Sequence, residues 1–158
     1  MPRRLTLAIA LVALAASVAA AESACSLAVG GEVVDLPHVY AVRFLYLGEH
    51  ERIRILCLPD AVDPAVLASQ DESLTAVQDA GLGVKDELKD DLTHLGAEVQ
   101  WDEFGTGMIG QYSEELTVDV RVDGDRITGR IATPSPLEGY DGAAWTLTLE
   151  LDEPIHDE

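Results

Sequence analysis

The stretch VYAVRFLYL (Val39–Leu47), GEHE (Gly48–Glu51), RIRILCL (Arg52–Leu58) decides the fold. Two apolar runs rich in β-branched and aromatic residues flank a short polar segment holding a glycine, the pattern of a β-hairpin. Successive strand residues point to opposite sides. In the return run Ile53, Ile55 and Cys57 therefore share one face, and Arg52, Arg54 and Leu56 the other. A hairpin this apolar belongs in the centre of a sheet.

Upstream, Leu27–Val29 and Val33–Leu36 enclose Gly30-Gly31, a second and tighter hairpin. Downstream the period changes. Asp63-Pro64 reads as a helix start, since Asp accepts from the orphan amides and Pro is tolerated at the first helical position. One or two short helices fit Pro64 to Ala80, stopped by Gly81 and Gly83. Val84, Leu88, Leu92 and Leu95 then recur at helical spacing, with Lys85, Asp86, Glu87, Lys89, Asp90 and Asp91 on the other face. This predicts a further helix that ends at Gly96.

From Ala97 the strand pattern returns. Leu116, Val118, Val120 and Val122 alternate with polar residues, and Asp123-Gly124 is a strong turn dipeptide. Arg126–Thr133 is the partner strand, with Gly129 weakening or bulging its middle. Trp145, Leu147, Leu149 and Leu151 line one face of a last strand, which Pro154 closes before an acidic end that frays. The expected architecture is mainly β (α+β): an antiparallel β-sandwich or twisted sheet with a short helical insertion around residues 64–95. No repeat or long linker divides residues 22–158, so they form a single domain.

Ahead of this domain stand Arg3-Arg4, an apolar run from Leu5 to Ala21 broken only by Thr6 and Ser17, and small residues at its end. These are the parts of a secretory signal peptide over residues 1–21. The run is short and Ala-rich for a membrane anchor. Lipidation at Cys25 is disfavoured because Glu22 stands three places before the cysteine. The sequence thus predicts an exported protein, periplasmic or extracellular, with no transmembrane segment after cleavage. Removing the leader takes two of the ten basic residues and no acidic ones. That leaves 29 Asp and Glu against 8 Lys and Arg, a net charge near −21.

Two cysteines in an exported chain favour a disulfide, Cys25 to Cys57. The competing reading is two unpaired thiols, with Cys57 a small apolar core residue.

Several of these segments carry a resemblance. They are the Leu-rich first strand with its Gly-Gly turn, His38 to Arg43, and Cys57-Leu58-Pro59-Asp60 followed by Asp63-Pro64. Ile127 to Ile131 and Trp145 to Ile155 complete the set. Together, from Leu27 to Ile155, they resemble small exported bacterial domains that are β-rich and have no assigned activity. The resemblance implies fold and export, and brings no catalytic residues.

Chemistry is sparse. There is no Gly-x-Ser-x-Gly elbow, no Cys-x-x-Cys, and no pair of histidines at helical spacing. His50, His94 and His156 read as solvated positions in a turn, at a helix end and in the tail. His38, at the mouth of a strand, is the one candidate for a small hydrolase of unfamiliar type, and Tyr40 lies beside it. Arg52 and Arg54 share a strand face, and Arg43 lies across the same hairpin. These three form a candidate basic spot for a carboxylate or phosphate, or else pair with the surrounding acids and lay their stems over apolar surface. His38, Tyr40, Arg43, Arg52 and Arg54 are thus the candidate ligand-binding residues. Asp119, Asp123 and Asp125 place oxygen ligands near a tight turn but lack the register of an EF-hand loop, so they are weak candidates for Ca2+; no other cofactor is indicated. Strong net negative charge opposes nucleic acid, which requires Lys and Arg along one face. The resulting expectation is an exported, non-catalytic domain that binds a protein, glycan or cell-envelope component. A Ca2+-dependent binding module is the alternative.

Overall fold

The computed structural model describes residues 22–67, 69–102, 105–109, 116–138 and 143–157. The signal peptide expected over residues 1–21 lies outside them. Eleven strands and two short helices follow in the order β1 (Ala24–Val29), β2 (Glu32–Leu36), β3 (His38–Tyr46), β4 (His50–Leu58), α1 (Pro64–Leu67), α2 (Gln70–Ala80), β5 (Leu82–Lys89), β6 (His94–Trp101), β7 (Gly105–Ile109), β8 (Thr117–Asp123), β9 (Arg126–Ala132), β10 (Leu137–Glu138) and β11 (Ala144–Asp157). The protein is mainly β, a curled mixed sheet with a helical insertion.

The hairpin of β3 and β4 forms where the sequence places it, with His38 opposite Leu58 and Tyr46 opposite His50. It lies inside a path β2-β1-β11-β3-β4-β5-β6-β7, and a branch of β9 and β8 leaves from β11. The long last strand joins the two parts. Residues 145–154 pair antiparallel with β1 and β9, while Ile155–Asp157 pair parallel with Ala41–Arg43 of β3. Pro154 sits at this change of partner, opposite Arg126. Lacking an N–H, proline is tolerated where a ladder is handed over. So Pro154 does not end the strand as expected, and Ile155 beyond it is buried rather than frayed.

Both parts of the sheet face one core. Leu27, Leu36, Ile127, Ile131, Leu147 and Leu149 meet Ile53, Ile55, Val84, Leu88 and Val99 within it. Cys25 on β1 and Cys57 on β4 form a disulfide across this core, with their Cα atoms 6.2 Å apart. The bond ties together strands that are separated by β11 and β3 in the sheet order.

The outer face of β3–β5 carries the helices. Val42, Leu56 and Leu58 pack with Leu67 of α1 and Val77 of α2 in a smaller cluster. The Asp63 side chain accepts from the Ala65 amide at 2.9 Å, so Asp63-Pro64 opens α1 as its chemistry dictates. Gly81, at φ 68, ends α2.

The helix expected over 84–95 is not formed; the helical insertion stops at Ala80, and strands β5 and β6 follow. Val84 and Leu88 are four residues apart, a spacing that suits one face of a helix and one face of a strand equally. Between them Asp86 also points inward, breaking the apolar alternation that would have marked a strand. Leu92 occupies the turn at φ 64, and Gly96 lies within β6 rather than capping a helix. At Gly129 the β8–β9 register runs without a bulge. A Cβ there would collide with the Asp119 carbonyl oxygen, so glycine is what lets the two backbones approach.

Candidate functional site

The outer face of β4, β5 and β6 beyond the helices is polar, and its residues follow from strand register. Arg52 stands opposite Lys89, Arg54 opposite Glu87, and Leu56 opposite Lys85. On the next strand Lys85 faces Glu98 and Glu87 faces Gly96.

Arg54 is buried to 2% exposure yet fully engaged. Its Nε and Nη2 donate to Glu87 Oε1 at 2.9 and 2.7 Å, Nη1 donates to Ser73 Oγ of α2 at 2.6 Å, and the guanidinium lies 4.3 Å from the Phe44 ring centre. A buried charge persists only when paired and hydrogen-bonded, and here one planar group is held on three sides. Beside it Lys85 Nζ meets Glu98 Oε2 at 2.6 Å, and Gln78 of α2 donates to Glu98 Oε1 at 3.0 Å. Burial alone would raise the Glu98 carboxyl. The hydrogen bonds from Lys85 and Gln78, with the charges of Lys85 and Arg54, outweigh burial and hold it below the usual carboxylate range.

Lys85, Glu98 and Glu87 line a depression of about 490 Å³, with Arg54 beneath Glu87. Tyr46, Arg52, Lys89, Thr93 and Gly96 are among its walls. The Arg52 guanidinium lies 3.5 Å from the Tyr46 ring centre and reaches Glu87 Oε2 only at 3.4 Å. Lys89 is exposed, and no carboxylate among the described residues lies within ion-pair distance of its ammonium.

Behind this face, on the core side, Asp86 is 0% exposed and meets His94 Nε2 at 3.0 and 3.2 Å from its two oxygens. Burial pushes the Asp86 carboxyl up, against the hydrogen bond and charge of His94. His94 is therefore no solvated helix end. It is a buried strand residue, brought inward because the β5–β6 register shifts between Glu87 and Leu88.

The structure divides the five candidate ligand residues. Arg52 and Arg54 share the site. Arg43, opposite Ile53, lies on the other face, where it pairs with Glu51 at 3.3 Å and Asp157 at 3.1 Å and donates to the Gly124 carbonyl at 3.3 Å. Residues directly across a ladder share a face, so an arginine opposite Ile53 could not join Arg52 and Arg54. Tyr40 accepts from the Val62 amide at 2.8 Å and so holds the chain entering α1. His38, half-buried opposite Leu58, forms no hydrogen bond or ion pair among the described residues.

Asp119 and Asp123 stand opposite Arg130 and Arg126. Four residues along a strand separate them by roughly 13 Å, too far to share one ion. Among the described residues no group of three His, Cys, Asp or Glu side chains is set to hold a metal. Lys85, Glu87, Lys89 and Glu98 were missed because the helical reading scattered them. Their signal was the alternation of Lys85, Glu87 and Lys89 with Val84 and Leu88. No protein-family model, no curated protein and no solved structure matches the chain.

Proposed function

We propose that the chain is an exported, non-catalytic binding domain that takes its ligand in the depression over β4–β6. The observation behind this reading is a polar concavity whose floor is rigid. Lys85 and Glu98 pair in the floor, and Glu87 is fixed from beneath by Arg54, itself bonded to Ser73 of α2, while Arg52, Lys89 and Thr93 at the walls stay accessible. Preorganised buried groups supporting a few exposed polar ones are what a small-ligand site requires, and a cavity of about 490 Å³ falls within the usual range. The signal-peptide pattern supports export, and the Cys25–Cys57 bond fits an oxidising compartment. Among the described residues no helix is long and apolar enough to cross a membrane.

Binding of the secreted protein to arrays of envelope glycans and peptides tests this. Thr93 is exposed at the wall, so Thr93→Trp should block the depression without touching the core. Loss of the array signal in that variant, with an unchanged melting temperature, is the expected result. Equal binding by both proteins would place the ligand elsewhere. The mass of the secreted chain should begin near Ala21 or Glu22.

A further inference from the structure

Among the described residues this face carries more cations than carboxylates, and this points to the charge of what the depression binds. Arg52, Arg54, Lys85 and Lys89 all lie on this face, against Glu87 and Glu98. Each carboxylate is already engaged by a buried cation, Glu87 by Arg54 and Glu98 by Lys85. Arg52 shares Glu87 with Arg54, taking Oε2 at 3.4 Å, while Lys89 has no ion pair among the described residues, and the register sets the two directly opposite one another. Cross-strand neighbours have Cβ atoms about 5 Å apart, and like charges placed so are destabilising. The chain has 29 acidic residues with which to relieve that repulsion. The nearby Asp91 carboxyl is lowered chiefly by hydrogen bonds from Thr93, and the Lys89 charge acts on it from beyond ion-pair distance.

We infer that a carboxylate or phosphate group of a small ligand seats between Arg52 and Lys89. This inference rests on the depression being the binding site. An oxyanion there neutralises both cations and accepts charge-assisted hydrogen bonds from each. Arg52 is the oriented partner, because the Tyr46 ring holds its guanidinium plane, whereas Lys89 supplies a mobile point charge. The whole-protein charge then acts as a filter. Its repulsion is screened within about 8 Å at physiological salt, so a small anion reaches the two cations. A polyanion must lay its remaining charges over the acidic surface around them, and is rejected.

The test follows the melting of the secreted protein and its amide NMR shifts in inorganic phosphate, and separately in acetate, against chloride at matched ionic strength. Shifts centred on Arg52, Lys89 and Thr93 with a raised melting temperature are expected from at least one oxyanion, and the stronger of the two identifies the headgroup chemistry. Lys89→Gln, an exposed substitution, should weaken that affinity about tenfold. Arg130→Gln, whose arginine pairs with Glu150 on another strand pair, should leave it unchanged. No oxyanion response in the wild-type chain, or an equal one in Lys89→Gln, overturns the inference. If array binding is nevertheless lost in Thr93→Trp, the depression remains the site and only the anionic headgroup is refuted. An oxyanion response that depends on Lys89, with array binding untouched by Thr93→Trp, instead refutes the broader reading.

Discussion

Asp86 and His94 meet inside the apolar core, a fully buried carboxylate and an imidazole Nε2 at 3.0 Å, directly behind the strand face that carries the candidate site. Burial raises the Asp86 carboxyl above its ordinary range, so the native state disfavours its ionised form. The contribution of a group shifted in this direction is fully present below the unfolded-state value and is lost as pH rises through the folded-state value. Asp86→Asn removes the titration while retaining an oxygen for His94. Its stability relative to wild type should rise steadily from acid to neutral pH in urea denaturation. A constant difference across that range would show that Asp86 does not titrate with folding.

Asp152 provides the opposite sign. The Arg126 hydrogen bond lowers its carboxyl, so its contribution is present above the ordinary carboxylate range and disappears as pH falls. Asp152→Asn should therefore cost stability at neutral pH and converge with wild type in acid. The two variants together make one experiment, with slopes of opposite direction.

Arg54 is held by Glu87, Ser73 and Phe44 with 2% exposure. Arg54→Ala would leave the partly buried Glu87 carboxylate with only the 3.4 Å contact to Arg52 and empty the volume beneath α2. A loss of about 3–5 kcal/mol is expected from urea midpoints at constant slope. Ser73→Ala removes one of the contacts and should cost about 1 kcal/mol.

Breaking the Cys25–Cys57 bond frees a loop of 32 residues in the unfolded chain. The chain-entropy argument gives a loss of roughly 3–4 kcal/mol, or a fall of about 10 °C in melting temperature. Calorimetry with and without reductant reads this directly. Cys25→Ala/Cys57→Ala should behave like the reduced protein.

Gly129→Ala places a methyl against the Asp119 carbonyl oxygen, at a φ of 128 that side chains rarely adopt. Stability should fall by more than about 1 kcal/mol, and hydrogen exchange should quicken first at the β8–β9 pairing.

The β3–β4 hairpin, the Gly30-Gly31 turn and the Asp63-Pro64 helix start were legible in the sequence because each is local chemistry. A run of β-branched residues, a positive-φ turn and an N-terminal cap need no distant partner to be recognised. The strands β5 and β6 were not legible, for a reason confined to one position. Asp86 faces the core by alternation with Val84 and Leu88, and its partner His94 reaches that face opposite Leu88 through a register shift, an encounter that is tertiary. Seen without His94, an acid between Val84 and Leu88 reads as the wet side of a helix. The candidate site inherited the same obscurity. Arg52 and Arg54 were visible on their strand, but Lys85, Glu87 and Lys89 could join them only once their own segment was a strand too. Arg43 was grouped with them because sequence proximity across a hairpin does not reveal which side of the ladder a residue faces.

The strand running from Ala144 to Asp157 has a consequence for biogenesis. It is the only described element that pairs with both halves of the sheet, and it is also the final one in chain order. During synthesis from the N-terminus, neither half can dock on the other through it until residues 144–157 have been made. A domain whose closure awaits this segment keeps the apolar faces of both halves uncovered until the strand is in place.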